Sequence, residues 1–276
     1  MKKSIVWLAS YPKSGNTWLR LFLANYMINA RKPVPINEVP RYAIGDAIAR
    51  TYAMVAGRRV DPNNIRQVLG LRDGVMRGIV GNNADINLVK THNTRKVAHG
   101  VPLIPDQYTR SAIYILRNPL DMVLSYARHH GLSHAQAVQA INHRDNATMG
   151  DANNVISFLG PWSTHVDSWT GFAPWPRLVL RYEDMLADPA AEFAKVVDHV
   201  GLPLDQDRLD RAIRFSSFRE LRRQEDESGF LERPAKSETF FTSGKSGVWK
   251  QALDPELAHA IRKAHRATMK RYGYPE

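Results

Sequence analysis

The stretch IVWLASYPKSGNTWLRLFLANYM, residues 5–27, decides the fold, because an apolar run passes through a short polar turn into a helical pattern. The run 5–9 is short and continuously apolar, which is typical of a strand buried on both faces. After the turn, apolar residues recur at helical spacing, namely Trp18, Leu19, Phe22, Leu23, Tyr26 and Met27. The stretch therefore predicts a strand, a turn and a helix in that order.

Three further apolar runs repeat this pattern along the chain, at residues 86–89, 112–116 and 178–180. The runs at 5–9, 112–116 and 178–180 each lead into a helical pattern. Strands that alternate with helices need crossover connections and therefore form a parallel sheet. We predict an α/β fold, with one domain over residues 1–276 and a central parallel sheet flanked by helices. Residues 255–272 predict a basic amphipathic helix.

The composition narrows the classes of function that are possible. The 276 residues contain no cysteine, which excludes disulfides, thiolate metal sites and cysteine nucleophiles. The formal net charge of +11 favours anionic partners. The apolar run after Lys2 and Lys3 is too short for a signal peptide, and no run reaches the ~20 apolar residues of a spanning helix. We expect a soluble, cytoplasmic protein.

Polar residues follow every predicted strand, and most of these groups are basic. They are Lys13, Lys90-Thr91-His92, Arg117-Asn118-Pro119 and Arg181-Tyr182-Glu183-Asp184. Because ligands of open parallel sheets bind beyond the carboxyl ends of the strands, the four groups predict one shared site with cationic walls.

The turn at residues 13–17 predicts an anion cradle. A glycine-containing turn that opens a helix directs backbone N–H groups and the helix dipole at one point. Lys13 adds a full positive charge, and Ser14, Asn16 and Thr17 add donors. The alternative is an ordinary helix start in which Asn16 or Ser14 is the N-cap. The turn is not a Walker A loop, and 244–246 fails that motif as well, because Thr239 stands where its first glycine is required.

The segment SYPKSGNTW, residues 10–18, closely resembles the 5′-phosphosulfate loop of the sulfotransferases that use 3′-phosphoadenylyl sulfate (PAPS). Further segments resemble this family in its order along the chain. They are Lys90-Thr91-His92, ILRNPLDMVLSY at 115–126, GPWSTHVDSW at 160–169, RYEDM at 181–185, SSF at 216–218 and GKSGVWK at 244–250. The resemblance implies the P-loop-NTPase-like sulfotransferase fold, PAPS as sulfuryl donor and adenosine 3′,5′-bisphosphate as product.

The resemblance also implies a role for each matching residue. Catalytic roles fall to His92 as general base, to Lys13 as stabiliser of the leaving oxygen, and to Lys90 as a nearby positive charge. Nucleotide-binding roles fall to Lys13, Ser14, Gly15, Asn16, Thr17, Trp18, Arg117, Ser125, Tyr182, Ser217, Phe218, Gly244 and Lys245. Ser14–Thr17 would bind the 5′ phosphate, Arg117 and Ser125 the 3′ phosphate, and the aromatic residues with Ser217 the adenine.

Five of these residues also have a purely structural alternative. Trp18 lies on an apolar helix stripe, where core packing is the usual role. Phe218 could anchor a turn, and His92 could cap a strand end. Arg117 could form a surface ion pair, while the hydroxyl of Ser125 could bond back to its own helix.

The chain departs from the family pattern near its C-terminus. Cytosolic members usually carry Arg-Lys before the first glycine of the C-terminal loop, where this chain has Thr242-Ser243. We expect Lys245 to supply the missing positive charge to the 3′ phosphate. The family's dimerisation motif is absent, so the oligomeric state stays open. No acidic pair at a strand end argues for a metal, and none is expected.

The acceptor is expected to be a small molecule, a glycan or a lipid that offers a hydroxyl or an amine. Segments 31–85, 129–160 and 224–243 are expected to form its walls or a lid. Two other functions remain as alternatives. One is a P-loop-type small-molecule kinase, which the missing Walker A motif disfavours. The other is a polyanion-binding or nucleic-acid-binding protein without enzymatic activity, which the spread of basic residues along the chain disfavours.

Overall fold

The computed structural model describes residues 4–82, 84–233 and 237–275. The strands are β1 (Ile5–Ser10), β2 (Ile44–Gly45), β3 (Asn87–Thr91), β4 (Val97–Ala98), β5 (Val101–Pro102), β6 (Thr109–Leu116), β7 (Ala147–Thr148), β8 (Ser157–Phe158) and β9 (Arg177–Arg181). The helices are α1 (Asn16–Ile28), α2 (Val39–Tyr42), α3 (Ala49–Ala56), α4 (Ile65–Val80), α5 (Pro119–His130), α6 (His134–Asn142), α7 (Trp162–Thr170), α8 (Tyr182–Ala187), α9 (Pro189–His199), α10 (Gln206–Phe215), α11 (Phe218–Ser228), α12 (Trp249–Ala252) and α13 (Pro255–Arg271), with a 3₁₀ turn at Ile36–Glu38.

Five strands form one parallel sheet in the order β2-β3-β1-β6-β9, which confirms the predicted parallel sheet. β1 lies at its centre, between β3 and β6. All four predicted strands are present, but β3 continues past the predicted end at residue 89. Lys90 and Thr91 pair with Leu8 and Ala9 of β1, so they lie within the strand and not after it.

The residues of β1 alternate between two apolar layers, which explains why its sequence is apolar throughout. Ile5, Trp7 and Ala9 face one layer, to which α4, α5, α7 and α13 contribute. Val6 and Leu8 face the other, which is built by α1, α8, α9 and α10. Since both faces of the central strand are covered, its carboxyl end and the turn that follows are held in a fixed position.

The segment 31–85, expected to wall the acceptor, also contributes to the sheet and the core. It supplies the edge strand β2, which two residues are too few to reveal by periodicity, and it supplies α4, which buries Val68, Val75 and Met76. The predicted helix at 255–272 is confirmed as α13, and it buries Ile261 and Met269. In the part of the chain described here, no helix is both long and apolar enough to cross a bilayer.

Candidate active site

The turn after β1 forms a cradle at the N-terminus of α1. Gly15 is the N-cap of α1, with a left-handed φ of 107°, and no side chain caps this helix start. The alternative that Asn16 or Ser14 is the N-cap is therefore wrong. Asn16 lies inside the helix, and its Nδ2 donates to the carbonyl oxygen of Leu8 at 2.8 Å. A Cβ on residue 15 would lie 2.8 Å from the ring of Tyr182, so this close approach requires glycine.

Several polar atoms around the cradle are buried and lack a hydrogen-bond partner within the described residues. They are Ser14 Oγ, Asn16 Oδ1, Trp18 Nε1 and Arg117 Nε. A buried polar atom without a partner costs free energy, so native proteins rarely leave one without a reason. Four such atoms around one helix N-terminus fit a site that an anionic, hydrogen-bonding ligand completes.

Lys13 stands at the centre of this cradle in a strained conformation, with a left-handed φ of 70°. Its ammonium lies over the ring of Phe240, 3.7 Å from the ring centroid. Burial, together with the positive charges of Lys90 and Arg117, lowers the pKa of Lys13 to about 7. Burial and neighbouring positive charges disfavour the ammonium form of Lys13. An anion that binds beside it therefore stabilises that form.

Arg117 links the turn after β1 to the C-terminal loop. Its Nη1 donates to the carbonyl oxygen of Lys13 at 3.1 Å, and its Nη2 donates to that of Lys245 at 3.1 Å. The guanidinium also lies over the ring of Tyr182, 4.3 Å from its centroid. The structure thus gives Arg117 no carboxylate partner within the described residues, which disagrees with the alternative of a surface ion pair.

A small cavity beside the cradle brings together residues from α5 and from the segment after α11. It measures about 10 Å³ and is lined by Lys13, Ser125, Arg128, His129, Ser237, Thr239 and Phe240. Ser125 therefore shares a cavity with Lys13. A space of this size holds about one water molecule. The ring of Phe240 forms part of its wall. Of the predicted lid at 224–243, residues 234–236 lie outside the described residues.

Arg128 and His129 are residues of this cavity to which the sequence analysis gives no binding role. Arg128 follows Ser125 by one helical turn of α5, and its Nη1 donates to Thr242 Oγ1 at 2.7 Å. Burial and the charge of Lys13 lower the pKa of His129 to about 2, so its imidazole is neutral. The i, i+3 spacing from Ser125 is the signal by which Arg128 could have been found.

His92 lies just beyond the end of β3, across from the cradle turn. Its Nδ1 lies 2.8 Å from the carbonyl oxygen of Ser10. A carbonyl only accepts, so Nδ1 carries the proton and Nε2 keeps its lone pair. No described residue hydrogen-bonds to Nε2. Burial and the charge of Lys90 hold the pKa of His92 well below its usual range, so the imidazole is a neutral base.

Lys90 lies two residues before His92 on β3 and belongs to an ion cluster that the sequence analysis missed. Glu232 receives two hydrogen bonds from the guanidinium of Arg20, at 2.7 and 2.9 Å, and lies 4.0 Å from Lys90 Nζ. Burial alone would raise the pKa of Glu232, but Lys90 and Arg20 lower it to about 2. Glu232 is 212 residues from Arg20, so no local pattern could reveal the pair.

The residues predicted to contact the adenine are Trp18 of α1, Tyr182 of α8, and Ser217 and Phe218 at the start of α11. Trp18 meets the ring of Tyr182 edge-on at 6.0 Å and that of Phe193 at 5.2 Å. Ser217 is the N-cap of α11, with its hydroxyl accepting from Glu220 N, and Phe218 follows as a partly exposed residue. The structural alternatives for Trp18 and Phe218 are thus compatible with their positions.

The C-terminal loop 244–250 packs against this same side. A Cβ on Gly244 would lie 2.6 Å from the ring of Phe218, so the loop and the ring are in direct contact. Asp121 of α5 holds the loop, because its carboxylate accepts from Gly247 N at 2.7 Å and from Trp249 N at 3.0 Å. The side chain of Lys245 is exposed, while its carbonyl accepts from Arg117.

Acidic residues near the strand ends are engaged in protein contacts. Glu183 accepts from Asn118 N at 2.9 Å and from Tyr274 Oη at 3.0 Å, while Asp184 pairs with Arg181 at 3.3 Å. Within residues 4–82, 84–233 and 237–275, no group of three histidine, aspartate or glutamate side chains is arranged to hold a metal ion.

Comparison with known proteins identifies the family. A family model described as the sulfotransferase domain matches residues 3–273. Flavonol 3-sulfotransferase of Flaveria bidentis is 24% identical over 273 residues, which cover 94% of this chain and 79% of that protein. Sulfotransferase 2A2 of Mus musculus is 28% identical over 174 residues, which cover 59% of this chain and only 57% of that protein.

Solved structures show the same fold. Retinol dehydratase in complex with androsterone and inactive cofactor PAP matches with a TM-score of 0.66 and 19% identity, over 98% of this chain and 82% of that chain. Mouse sulfotransferase SULT7A1 complexed with PAP matches with a TM-score of 0.63 and 18% identity, over 98% and 84%. These matches confirm the predicted sulfotransferase fold. Because the family model spans nearly the whole sequence, this chain belongs to the sulfotransferase family.

Proposed function

We propose that this protein transfers a sulfuryl group from PAPS to a hydroxyl or an amine of an acceptor. Membership of the sulfotransferase family supports sulfuryl transfer as the general activity. The observation that carries the specific proposal is the cradle after β1, where buried polar atoms without partners surround Lys13, close to a neutral histidine with an unused ring nitrogen. Structural neighbours crystallised with PAP support the choice of donor.

The described contacts suggest how the donor is held. Ser14, Gly15, Asn16, Thr17 and the start of α1 bind the 5′ phosphosulfate with backbone and side-chain donors. The 3′ phosphate is bound by Arg117 and Ser125, with Gly244 and Lys245 of the C-terminal loop beside them. The adenine lies among Trp18, Tyr182, Ser217 and Phe218. Arg117 Nε and Trp18 Nε1 lack a hydrogen-bond partner within the described residues. In this arrangement they donate hydrogen bonds to the nucleotide.

The reaction then needs one proton acceptor and one stabiliser of negative charge. His92 Nε2 takes the proton from the acceptor hydroxyl as its oxygen forms a bond to sulfur. The bond between sulfur and the bridging oxygen of the 5′ phosphate breaks, and the electron pair leaves with that oxygen. Lys13 stabilises this oxygen, and Lys90 stabilises charge on the sulfuryl group. Positioning and charge stabilisation dominate such an in-line transfer.

The acceptor approaches from the side of His92 that lies away from Trp18. We propose that segments 31–85, 129–160 and 224–243 form its walls, with His129 and Phe240 in the same cavity as Lys13. Retinol dehydratase has been crystallised with androsterone and with retinol, which supports a small-molecule alcohol as the acceptor. A screen with labelled PAPS across alcohols, phenols, amines, glycans and lipids identifies it.

Thermal unfolding with different ligands tests the donor site. A ligand that binds only the native state raises the melting temperature with its concentration. We expect a strong increase with adenosine 3′,5′-bisphosphate and a weaker one with ATP and Mg²⁺ or with short DNA. A larger increase with ATP and Mg²⁺ would favour a kinase. Stabilisation by DNA alone, lost with salt, would favour a polyanion-binding protein.

The variant His92→Ala tests the catalytic assignment. We expect it to bind the bisphosphate as the wild type does and to lose at least about 100-fold in turnover, because general-base catalysis contributes about 10²–10⁴ in rate. Lys13→Ala should weaken both binding and turnover. Full turnover by His92→Ala would show that another group removes the proton.

A further inference from the structure

We propose that Asp46, supported by Arg72, is a positioning residue that holds the segment carrying Lys90 and His92 in its reactive geometry. The proposal rests on the role of His92 as the proton acceptor. It concerns a buried ion pair in segment 31–85, which the sequence analysis assigns only to the acceptor side or to a lid.

Asp46 lies directly after the edge strand β2 and contacts residues on both sides of His92. Its backbone N–H donates to the carbonyl oxygen of Lys90 at 3.0 Å. Its Oδ2 accepts from Thr91 Oγ1 at 2.8 Å and from Asn93 Nδ2 at 3.0 Å. One aspartate therefore fixes three of the four residues from 90 to 93, and the fourth is His92.

Arg72 of α4 forms an ion pair with Asp46 in the core. Its Nη2 lies 2.8 Å from Asp46 Oδ2, and both side chains are almost fully buried, with 3% and 2% of their surface exposed. The guanidinium is itself fixed by the carbonyl oxygen of Leu103 and by the hydroxyl of Tyr52. An ionised oxygen can accept several hydrogen bonds at once, which a neutral amide in its place cannot do equally well.

The remaining contacts of His92 limit its movement in other directions. His165 Nε2 lies 3.0 Å from the carbonyl oxygen of His92 and donates to it, while Tyr114 Oη lies 2.9 Å from His165 Nδ1 and donates to that nitrogen. The ring Nδ1 donates to Ser10 O. Asp46 thus fixes the segment from one side, β1 and His165 hold its backbone from the other, and Ser10 fixes the ring of His92.

This geometry has a direct consequence for the rate. A base that must meet an acceptor hydroxyl within hydrogen-bond distance loses rate steeply when it is misplaced, by up to about 10² for 1 Å. Nucleotide binding depends on the cradle after β1 and on Arg117, which Asp46 does not contact. Loss of Asp46 should therefore lower turnover and leave the affinity for the nucleotide unchanged.

The test compares Asp46→Asn, the double variant Asp46→Asn/Arg72→Met and Thr91→Val. The single Asp46 variant leaves Arg72 buried without a counter-charge and can fail to fold, whereas the double variant removes that charge. Thr91→Val removes, at nearly constant shape, the hydrogen bond to Asp46 and the one that Thr91 Oγ1 accepts from Asn93 N at 3.1 Å. The control is Asp73→Asn, next to Arg72 on α4, which loses the ion pair with Arg77 and contacts no residue of the 90–93 segment in the described structure.

Two readouts separate positioning from mere stability. With the best acceptor of the screen, we expect kcat to fall about 10- to 100-fold in the double variant and about 3- to 10-fold in Thr91→Val. The Kd for the bisphosphate should stay within about twofold. In ¹⁵N-histidine-labelled protein, the His92 Nδ1 proton, assigned by its loss in His92→Ala, should move upfield or exchange with water. The control Asp73→Asn should change neither kcat nor the His92 Nδ1 proton resonance.

A folded double variant with wild-type kcat and an unchanged His92 resonance would overturn the proposal. If His92→Ala stayed active, the assignment of the base would fail instead. The NMR readout would then still decide whether Asp46 positions the segment, so the two failures are distinguishable.

Discussion

At the scale of single residues, Lys13 shows how the fold prepares a site for negative charge. Its backbone is in the left-handed region, and its ammonium is buried among Lys90, Arg117 and Arg128. These neighbours make the positive charge unfavourable until an anion arrives. Strain and unfavourable charge of this kind are concentrated at functional sites, because surrounding structure maintains them.

The lowered pKa of Lys13 predicts proton uptake when the nucleotide binds. Below about pH 7 Lys13 is already protonated in the free protein, so no proton is taken up. Above that pH the free lysine is neutral, and the bound phosphates favour its ammonium form. Calorimetry in two buffers of different ionisation enthalpy should show uptake that approaches one proton at about pH 8.5.

The matched variant Lys13→Met has no group that can titrate at this position, so its binding should show no such uptake. A wild-type protein that took up no proton at about pH 8.5 would contradict the prediction. It would mean that Lys13 keeps its proton in the free protein despite the surrounding positive charges.

A second prediction at this scale concerns the positive charge for the 3′ phosphate. If Lys245 supplies it, Lys245→Ala should weaken binding of adenosine 3′,5′-bisphosphate about tenfold, or ~1.4 kcal/mol, as expected for one charge-assisted hydrogen bond. Binding of adenosine 5′-monophosphate should not change. Lys263→Ala, on the exposed surface of α13, is the control. Unchanged affinity for the bisphosphate in Lys245→Ala would point to Arg128 instead.

At the scale of elements, two carboxylates hold the segment after α11 in place. Glu225 of α11 accepts from the backbone N–H groups of Phe240 and Phe241, at 2.6 and 2.9 Å. Glu232 pairs with Arg20 of α1 and lies near Lys90. Phe230, Phe240 and Phe241 pack on each other beside these contacts. These contacts hold Phe240 beside Lys13 of the candidate site.

The Glu232→Gln variant measures how strongly this attachment stabilises the fold. Only 1% of the Arg20 side chain is exposed, so the substitution leaves a buried guanidinium without its counter-charge. We expect the free energy of unfolding to fall by about 2–3 kcal/mol, measured by urea denaturation. Glu227→Gln breaks a solvent-exposed pair with Arg223 and should lower the free energy of unfolding far less, because water screens that pair. Equal costs for the two variants would show that Arg20 has another partner.

At the scale of the whole molecule, the sequence predicts what repeats locally and misses what depends on distant contacts. The four long strands were predictable because burial on both faces makes them continuously apolar. β2 was not predictable, because two residues are too few to show a periodicity. The position of Asp46, which follows β2, was therefore not predictable either. The cradle residues were predictable from one contiguous segment. Arg20 and Glu232 were not, because each looks like an ordinary surface charge until the chain brings them together.

The position of Phe240 over the Lys13 ammonium has a kinetic consequence. With room for about one water molecule beside it, a nucleotide cannot reach the cradle until the ring swings away. Each binding event must then wait for that opening. Stopped-flow traces should give observed rate constants that level off as bisphosphate concentration rises, instead of increasing linearly. Phe240→Ala should restore the linear dependence, whereas a wild-type protein without a plateau would mean that the ring yields as fast as ligands collide with it.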